Sequence, residues 1–539
     1  MHLQVETSLS DQAGAVPWRR RVGRWLVLLA AVALVVGLAD CFDTNEADKL
    51  PLALQRIRPD WLPGDWYLNH PQPHQWLFLE LAGRVLNSLG MVAGAVVIRC
   101  SGYALWCWGM AGVAAELGLG LPWLLAGLAL WLPRQGMVAG EWMLGSAEPK
   151  TFAYGLLLLA FVSWRRSCSG WAGLQAGLAC SAHVLVGGYG ALSLAALAWL
   201  RSAQLRMRWW PAIAAALVGA FALYRPVLGR LVQLATPAPA NPLRMSPIWL
   251  YVPFRHPHHL VPSTWGRGWL LVVVVLLGWM VVGHWLRRAA VTRLSEPELE
   301  ACRDLWRWSA LALVPFGVGL LLSLVDADGF ALQLYPFRLA DTLLPLTLVL
   351  LGARALQALV VERGRLSRSL QPIGAVAVAA LLLLAAVLTS RGAVFRPGQA
   401  FAPPPEKAML YPSLMASTPH GARVLTPPGG FSDLALRTSR SPVVQFRQVP
   451  GSMGLLGEWA RRLAELAGGA HQLREGPGGA AAERRLMSAY TRLNPQDLAT
   501  LARRYDVLAV VTGEGQAGPA GWQRVPAGAA WWLWLPPQR

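Results

Sequence analysis

Lysine is almost missing from this chain. Only Lys49, Lys150 and Lys407 stand among 48 lysines and arginines in 539 residues, so the place of a lysine carries information that the place of an arginine does not. Charge of either sign is scarce: 14% of residues are Asp, Glu, Lys or Arg against 55% hydrophobic, and the apolar residues fall in long blocks with few charges inside them. That excludes an ordinary soluble domain and defines a polytopic membrane protein. The six cysteines form no CxxC pair, and five lie in or beside apolar blocks, which argues against a disulfide framework or a thiolate metal site. No internal repeat is visible, which counts against the inverted-repeat transporters.

The apolar blocks expected to span are 25–39, 76–98, 101–118, 121–133, 150–164, 171–186, 189–200, 209–224, 268–286, 308–325, 340–360 and 371–390, with 136–147, short and containing Glu141, as a thirteenth. Several fall below the roughly 20 residues that a perpendicular helix needs, so tilted, broken or re-entrant segments are expected. A formal charge of +19 would suggest nucleic acid in a soluble protein. Here the arginines sit at block ends and act as topology signals, so no nucleic-acid partner is expected. Arg19, Arg20, Arg21 and Arg24 precede the first span and keep the N-terminal tail, 1–22, cytoplasmic. The first run lacks a signal-peptide cleavage pattern and is read as an uncleaved span. Basic clusters at Arg165/Arg166, Arg201/Arg206/Arg208, Arg287/Arg288/Arg293 and Arg363/Arg365/Arg368 are all cytoplasmic only if 136–147 crosses. Thirteen crossings then put the C-terminus outside.

The expected fold is mainly α: a transmembrane helical bundle of about 12–13 spans over 23–390, and a small extracytoplasmic α/β domain over 391–539. Outer loops cover 40–75 and about 226–267. The tail opens with "RPGQAFAPPPEK" and then changes period. "ARVLTPP" and "PVVQFRQVP" read as strands and "LLGEWARRLAELAG" as an amphipathic helix. In "NPQDLATLARRYDVLAVVTG", a helix capped by Asn494 with Pro495 at its first position precedes a strand. This tail offers no nucleophile elbow, phosphate loop or metal spacing.

Carboxylates collect just past the first span: Asp40, Asp43, Glu46 and Asp48, with Asp43 and Glu46 sharing one face if the chain is helical there. Acids at headgroup height suit transfer from a lipid phosphate, where a carboxylate deprotonates an acceptor hydroxyl or holds a divalent cation such as Mg or Mn. The loop continues with Trp61, Asp65, Trp66 and Tyr67, either an interfacial aromatic belt or a platform for a sugar ring. Glu148 and Lys150 stand at the mouth of a span as a second carboxylate and a phosphate-binding cation. His183, inside apolar sequence and before a glycine-rich break, is a polar group for a cavity. Arg338 lies on the outer side against the positive-inside trend, so an anion is expected to hold it. "YVPFRHPHHLVP", with Arg255, His256, His258 and His259, reads as a connecting loop or a basic acceptor or phosphate loop, and its prolines argue against a metal site.

The strings "NEADKLPLALQRIRPDWLPGDWYLN", "AEPKTFAYGLLLLA" and "YPFRLAD", with the acid just beyond the first span and the soluble C-terminal domain, resemble the GT-C superfamily of polytopic glycosyltransferases. That resemblance implies a bacterial inner-membrane enzyme that moves a sugar from a polyprenyl-phosphate-linked donor to a glycan, lipid or protein acceptor outside the cytoplasm. It makes Asp43, or Asp40 in its stead, the catalytic acid, with Glu46 beside it. Asp65, Trp61, Trp66, Tyr67, Glu148, Lys150, His183 and Arg338 then bind substrate. The sequence lacks the adjacent acidic pair and the WWD-like motif of some members. A transporter or flippase of a lipid-linked solute, or a scaffold for envelope assembly, is the alternative.

Overall fold

The computed structural model describes residues 18–37, 42, 44–70, 75–201, 215, 216, 219, 243–288, 294–360, 371–389 and 401–537. Asp40, Asp43 and most of the block 209–224 lie outside these. In chain order the membrane part is built from α1 (Trp18–Gly37), α2 (Thr44–Ile57), α3 (Trp76–Leu89), α4 (Met91–Glu116), α5 (Leu121–Trp131), α6 (Pro149–Arg165), α7 (Ser169–Ala182), α8 (Val184–Arg201), α9 (Gly268–Arg288), α10 (Glu296–Leu322), α11 (Arg338–Val360) and α12 (Gln371–Thr389).

Among the described residues five helices, α4, α8, α9, α10 and α11, are long and apolar enough to cross a membrane. Their outward faces keep large apolar side chains exposed, such as Leu192, Leu270, Val281 and Leu321. Such a surface is stable only against lipid, and the helix satisfies its own backbone there.

Several expected spans are rearranged. The blocks 76–98 and 101–118 divide at Gly90 instead, into the 14-residue α3 and the 26-residue α4 that runs straight through Arg99. Helix α3 pairs with the amphipathic α2, and the contact is close: a Cβ on Gly83 would stand 2.1 Å from the Ala53 carbonyl oxygen. The segment 136–147 is no crossing at all but irregular chain between α5 and α6. The break expected between 186 and 189 falls earlier, at His183, which separates α7 from α8.

The far end of the bundle from the C-terminal domain is tied by ions. Asp304 of α10, fully buried, meets Arg165 of α6 at 2.6 Å, Arg201 of α8 at 2.9 Å and Arg307 at 3.1 Å. Arg354 of α11 donates to the Leu117 carbonyl at 2.9 Å and pairs with Glu298 at 3.3 Å. Of the basic clusters at block ends, Arg165 and Arg201 thus meet at this end through Asp304, although 136–147 does not cross.

The C-terminal domain is a five-stranded sheet in the order β2-β1-β3-β5-β4, with β1 (Arg423–Leu425), β2 (Ser441–Pro442), β3 (Ala509–Gly513), β4 (Gln523–Val525) and β5 (Trp531–Leu535). Strands β2, β1 and β3 are parallel, which requires crossovers. Helices α13 (Met453–Leu466), α14 (Ala480–Tyr490) and α15 (Pro495–Arg504) lie between β2 and β3. Helix α15 starts as the sequence indicates: Asn494 accepts from the Gln496 and Asp497 N–H groups at 2.9 and 2.8 Å, and Pro495 follows. The stretch 442–450 is a strand only at its first residue. Gln445 bonds instead across to Thr426, Pro427 and Phe431, which bends the chain out of the sheet. The antiparallel pair β4 and β5 has no counterpart in the sequence reading.

The domain sits on the membrane part through aromatic contacts. Phe254 packs on Phe446 and Trp459 with ring centroids 5.5 and 6.1 Å apart, and the Arg462 guanidinium lies 4.6 Å over Trp66.

Candidate functional site

The loop between α5 and α6 carries Glu141 and Glu148, and a distant carboxylate shapes it. Asp341 of α11, fully buried, accepts from the backbone N–H groups of Met137, Val138 and Ala139 at 2.7–3.0 Å and of Glu141 at 3.3 Å. Gln135 does the same for Met143 and Leu144, both at 2.8 Å, and donates to the Leu144 carbonyl at 2.6 Å. These partners replace helical hydrogen bonds, which is why an apolar stretch stays irregular. Gly136 permits the approach, since a Cβ there would stand 2.5 Å from Asp341 Oδ2.

This loop brings Glu148, Lys150, Glu141, Arg338 and His183 together. Glu148 accepts from Asn45 and Trp142 at 3.0 Å each and from the Ser146 hydroxyl. The Lys150 ammonium stands 3.3 Å from Glu148, 3.6 Å from Glu141 and 3.5 Å from the centre of the Trp142 ring. Arg338 donates to Glu141 Oε1 at 2.7 Å, so the anion expected beside it is Glu141. Its other branch reaches His183 Nε2 at 3.2 Å, and the guanidinium lies 4.1 Å over Tyr335. Burial works to raise the Glu141 carboxyl, but Arg338 and Lys150 outweigh it and hold it down at about 2. Glu141 is therefore an anion at any physiological pH.

Glu46 is fully buried in α2 and engaged on both oxygens. The Arg99 guanidinium of α4 donates to both, at 2.5 Å on Oε1, and the Ala147 N–H reaches Oε1 at 2.7 Å. This carboxylate joins α2, α4 and the 136–148 loop. The next acid along, Asp48, accepts from the Tyr67 hydroxyl at 2.5 Å and pairs with Lys49.

Asp65, Trp61, Trp66 and Tyr67 lie elsewhere. Trp61 and Tyr67 are buried with α2, α3 and residues 435–436 of the C-terminal domain, and Trp66 is covered by Arg462. Asp65 closes a turn by accepting from the Leu68 N–H at 2.8 Å, and burial raises its carboxyl to about 6. An acid whose folded value is raised binds its proton in the folded state until about pH 6 and in the unfolded chain only until about pH 4. Its contribution to stability therefore falls as pH rises between those values and is level above. Asp65→Asn keeps the acceptor and removes the charge. Its melting temperature in detergent is expected to exceed wild type at pH 7.5 and to lose that advantage by pH 4; a constant difference across this range would contradict the burial argument.

Residues 247–260 fold as short helical turns around Pro253 and Pro257, including a π-type turn at Leu250–Arg255. This aims Arg255 at the carbonyls of Phe446 and Arg447, at 2.9 and 3.3 Å. Burial lowers His258 to about 4 and His259 to about 3, so both are neutral near pH 7. His259 donates to the Ala139 carbonyl and helps hold the loop of Glu141.

These groups line one cavity of about 1460 Å³ at the end of the bundle that carries the C-terminal domain. Its walls run from Val36, Leu132 and Leu185 of the membrane helices to Phe446, Met453 and Ala480 of the domain. Seven arginines and lysines face four aspartates and glutamates there, so the lining carries a surplus of positive charge. Glu148, Lys150, His183 and Arg338 line it. Asn45, Lys49, Tyr335, Arg447 and Glu483 line it too and were not among the site residues expected from the sequence. The scarcity of lysine was the signal available for Lys49. Among the described residues no group of three His, Cys, Asp or Glu side chains is placed to hold a metal ion.

A bundle with membrane-length helices, the amphipathic α2 packed on α3, and a small sheet domain capping the cavity together define the fold. The chain is similar over nearly its whole length to ArnT from Cupriavidus metallidurans in the apo state, with 12% identity, a TM-score of 0.51, and 95% of this chain and 98% of that one covered. A second crystal structure of that protein, bound to undecaprenyl phosphate, gives a TM-score of 0.48 at 12% identity over 96% and 97% of the two chains. No family model matches the sequence. No curated protein matches it either.

Proposed function

We propose that the protein is a membrane glycosyltransferase that takes a sugar from a polyprenyl-phosphate-linked donor and passes it to a glycan, lipid or protein acceptor. The observation that carries this reading is Lys150: a buried ammonium facing the cavity, held by an aromatic ring and two carboxylates at 3.3–3.6 Å, beside Arg338. Such a cation pair, with Arg255 on the same wall, suits a lipid phosphate whose polar head enters the cavity while its chain stays in the bilayer.

In this reading the acceptor oxygen attacks the anomeric carbon, the bond from that carbon to the phosphate oxygen breaks, and the phosphate leaves with the electron pair. The acceptor proton passes to a carboxylate, for which Asp43, or Asp40, is the choice. Lys150 and Arg338 take up the charge that develops on the leaving phosphate. A divalent cation, the other expectation from the sequence, has no ligand set among the described residues, so no step is routed through one. The cavity opens on what we take to be the extracytoplasmic side of a bacterial inner membrane, with the N-terminus cytoplasmic.

The test is transfer of labelled sugar from a panel of polyprenyl-phosphate donors by purified protein in lipid, with wild type beside Asp43→Asn. Transfer by wild type and its loss in the variant is the expected result. Labelled lipid crossing the bilayer with no sugar transferred would replace the reading with a flippase.

A further inference from the structure

Glu141 touches both cations assigned above to the donor phosphate. One oxygen takes Arg338 Nε at 2.7 Å; the other, buried and without a hydrogen bond, stands 3.6 Å from Lys150 Nζ. A phosphate entering between Lys150 and Arg338 needs the N–H donors that face this carboxylate. The fold does not require the contact, because the loop is held through its backbone by Asp341 and through Gln135. Glu148 differs: it has three donors of its own in Asn45, Trp142 and Ser146, and stays put whatever Lys150 does.

We propose that Glu141 is a built-in counter-anion of the donor site, which holds Lys150 and Arg338 when no phosphate is bound and competes with the phosphate for them. This rests on the reading of the cavity as a donor-phosphate site. Its consequence is unequal for the two lipids of the reaction. The donor is a phosphodiester with one negative charge, whereas the product is a monoester with nearly two near neutral pH. A fixed carboxylate beside the binding cations therefore weakens the product more than the donor. Glu141 sets product release, and a site with a surplus of positive charge is kept from being trapped by its own product.

The experiment is equilibrium binding of a short-chain polyprenyl phosphate, and steady-state transfer, by full-length protein in nanodiscs. Glu141→Gln keeps an acceptor for Arg338 and removes the charge. It is expected to bind polyprenyl phosphate at least about tenfold more tightly, with KM and kcat both reduced as release becomes limiting. Glu141→Ala is the second charge-removing variant and shifts affinity in the same direction, while Glu141→Asp keeps the charge and stays within about threefold of wild type. Folded charge-removing variants that bind polyprenyl phosphate no more tightly than wild type would overturn the proposal. Absence of binding by wild type would overturn the reading of the cavity itself.

Discussion

Replacing Lys150 with alanine is expected to lower kcat/KM for sugar transfer by about 10²- to 10³-fold while the protein remains folded. The ammonium stands 3.3 Å from Glu148 and 3.6 Å from Glu141, and neither separation is a close charge-assisted hydrogen bond, so a phosphate in the cavity can draw its donors away from them. Its removal leaves Glu148 with Asn45, Trp142 and Ser146, and Glu141 with Arg338, so no carboxylate is stranded. The loss is therefore concentrated in the stabilisation of a leaving phosphate. Arginine at this position does not restore the rate, because its planar fork replaces a compact charge seated 3.5 Å from the centre of the Trp142 ring. Steady-state transfer with folding monitored in parallel checks this. A rate within threefold of wild type would remove Lys150 from the site.

Glu46→Ala is expected to cost about 3–5 kcal/mol of stability, the penalty for breaking a buried ion pair by removing one member. Arg99 is 7% exposed and sits within a membrane-length helix, where Glu46 meets it with two oxygens. The same carboxylate holds the Ala147 N–H, so the variant also loosens the chain that leads to Glu148 and Lys150. The double variant Glu46→Leu/Arg99→Leu removes both charges and is expected to recover most of the loss, since a buried pair exchanged for apolar groups is often neutral. Thermal unfolding of the single and double variants in one detergent compares them. A double variant as unstable as Glu46→Ala would show that the pair is not the origin of the loss.

Residues whose rarity carried meaning were legible in the sequence. One lysine at a span mouth, one arginine on the unexpected side and a histidine inside apolar sequence pointed to Lys150, Arg338 and His183, and the fold brings them to one cavity wall. The helical membrane bundle with a small C-terminal α/β domain and the capped helix at Asn494 were legible for a similar reason, because hydropathy and capping are local properties. What the sequence hid depends on partners far along the chain. Arg99 marked the end of a block only because an arginine in apolar sequence is costly, and its cost is met by Glu46, 53 residues earlier. The stretch 136–147 looked like a crossing because nothing near it shows that Asp341, about 200 residues later, satisfies its backbone. The π-type turn that aims Arg255 into the cavity is equally invisible in a proline-rich loop.

A structure of the full-length protein in lipid with a polyprenyl phosphate bound tests the central claim most directly. The expected result is a phosphate about 3 Å from Lys150 Nζ and from the Arg338 guanidinium, in the cavity beneath the C-terminal domain, with its chain leaving toward the bilayer. A phosphate seated at the opposite end of the bundle, among Arg165, Arg201 and Arg307, would contradict it.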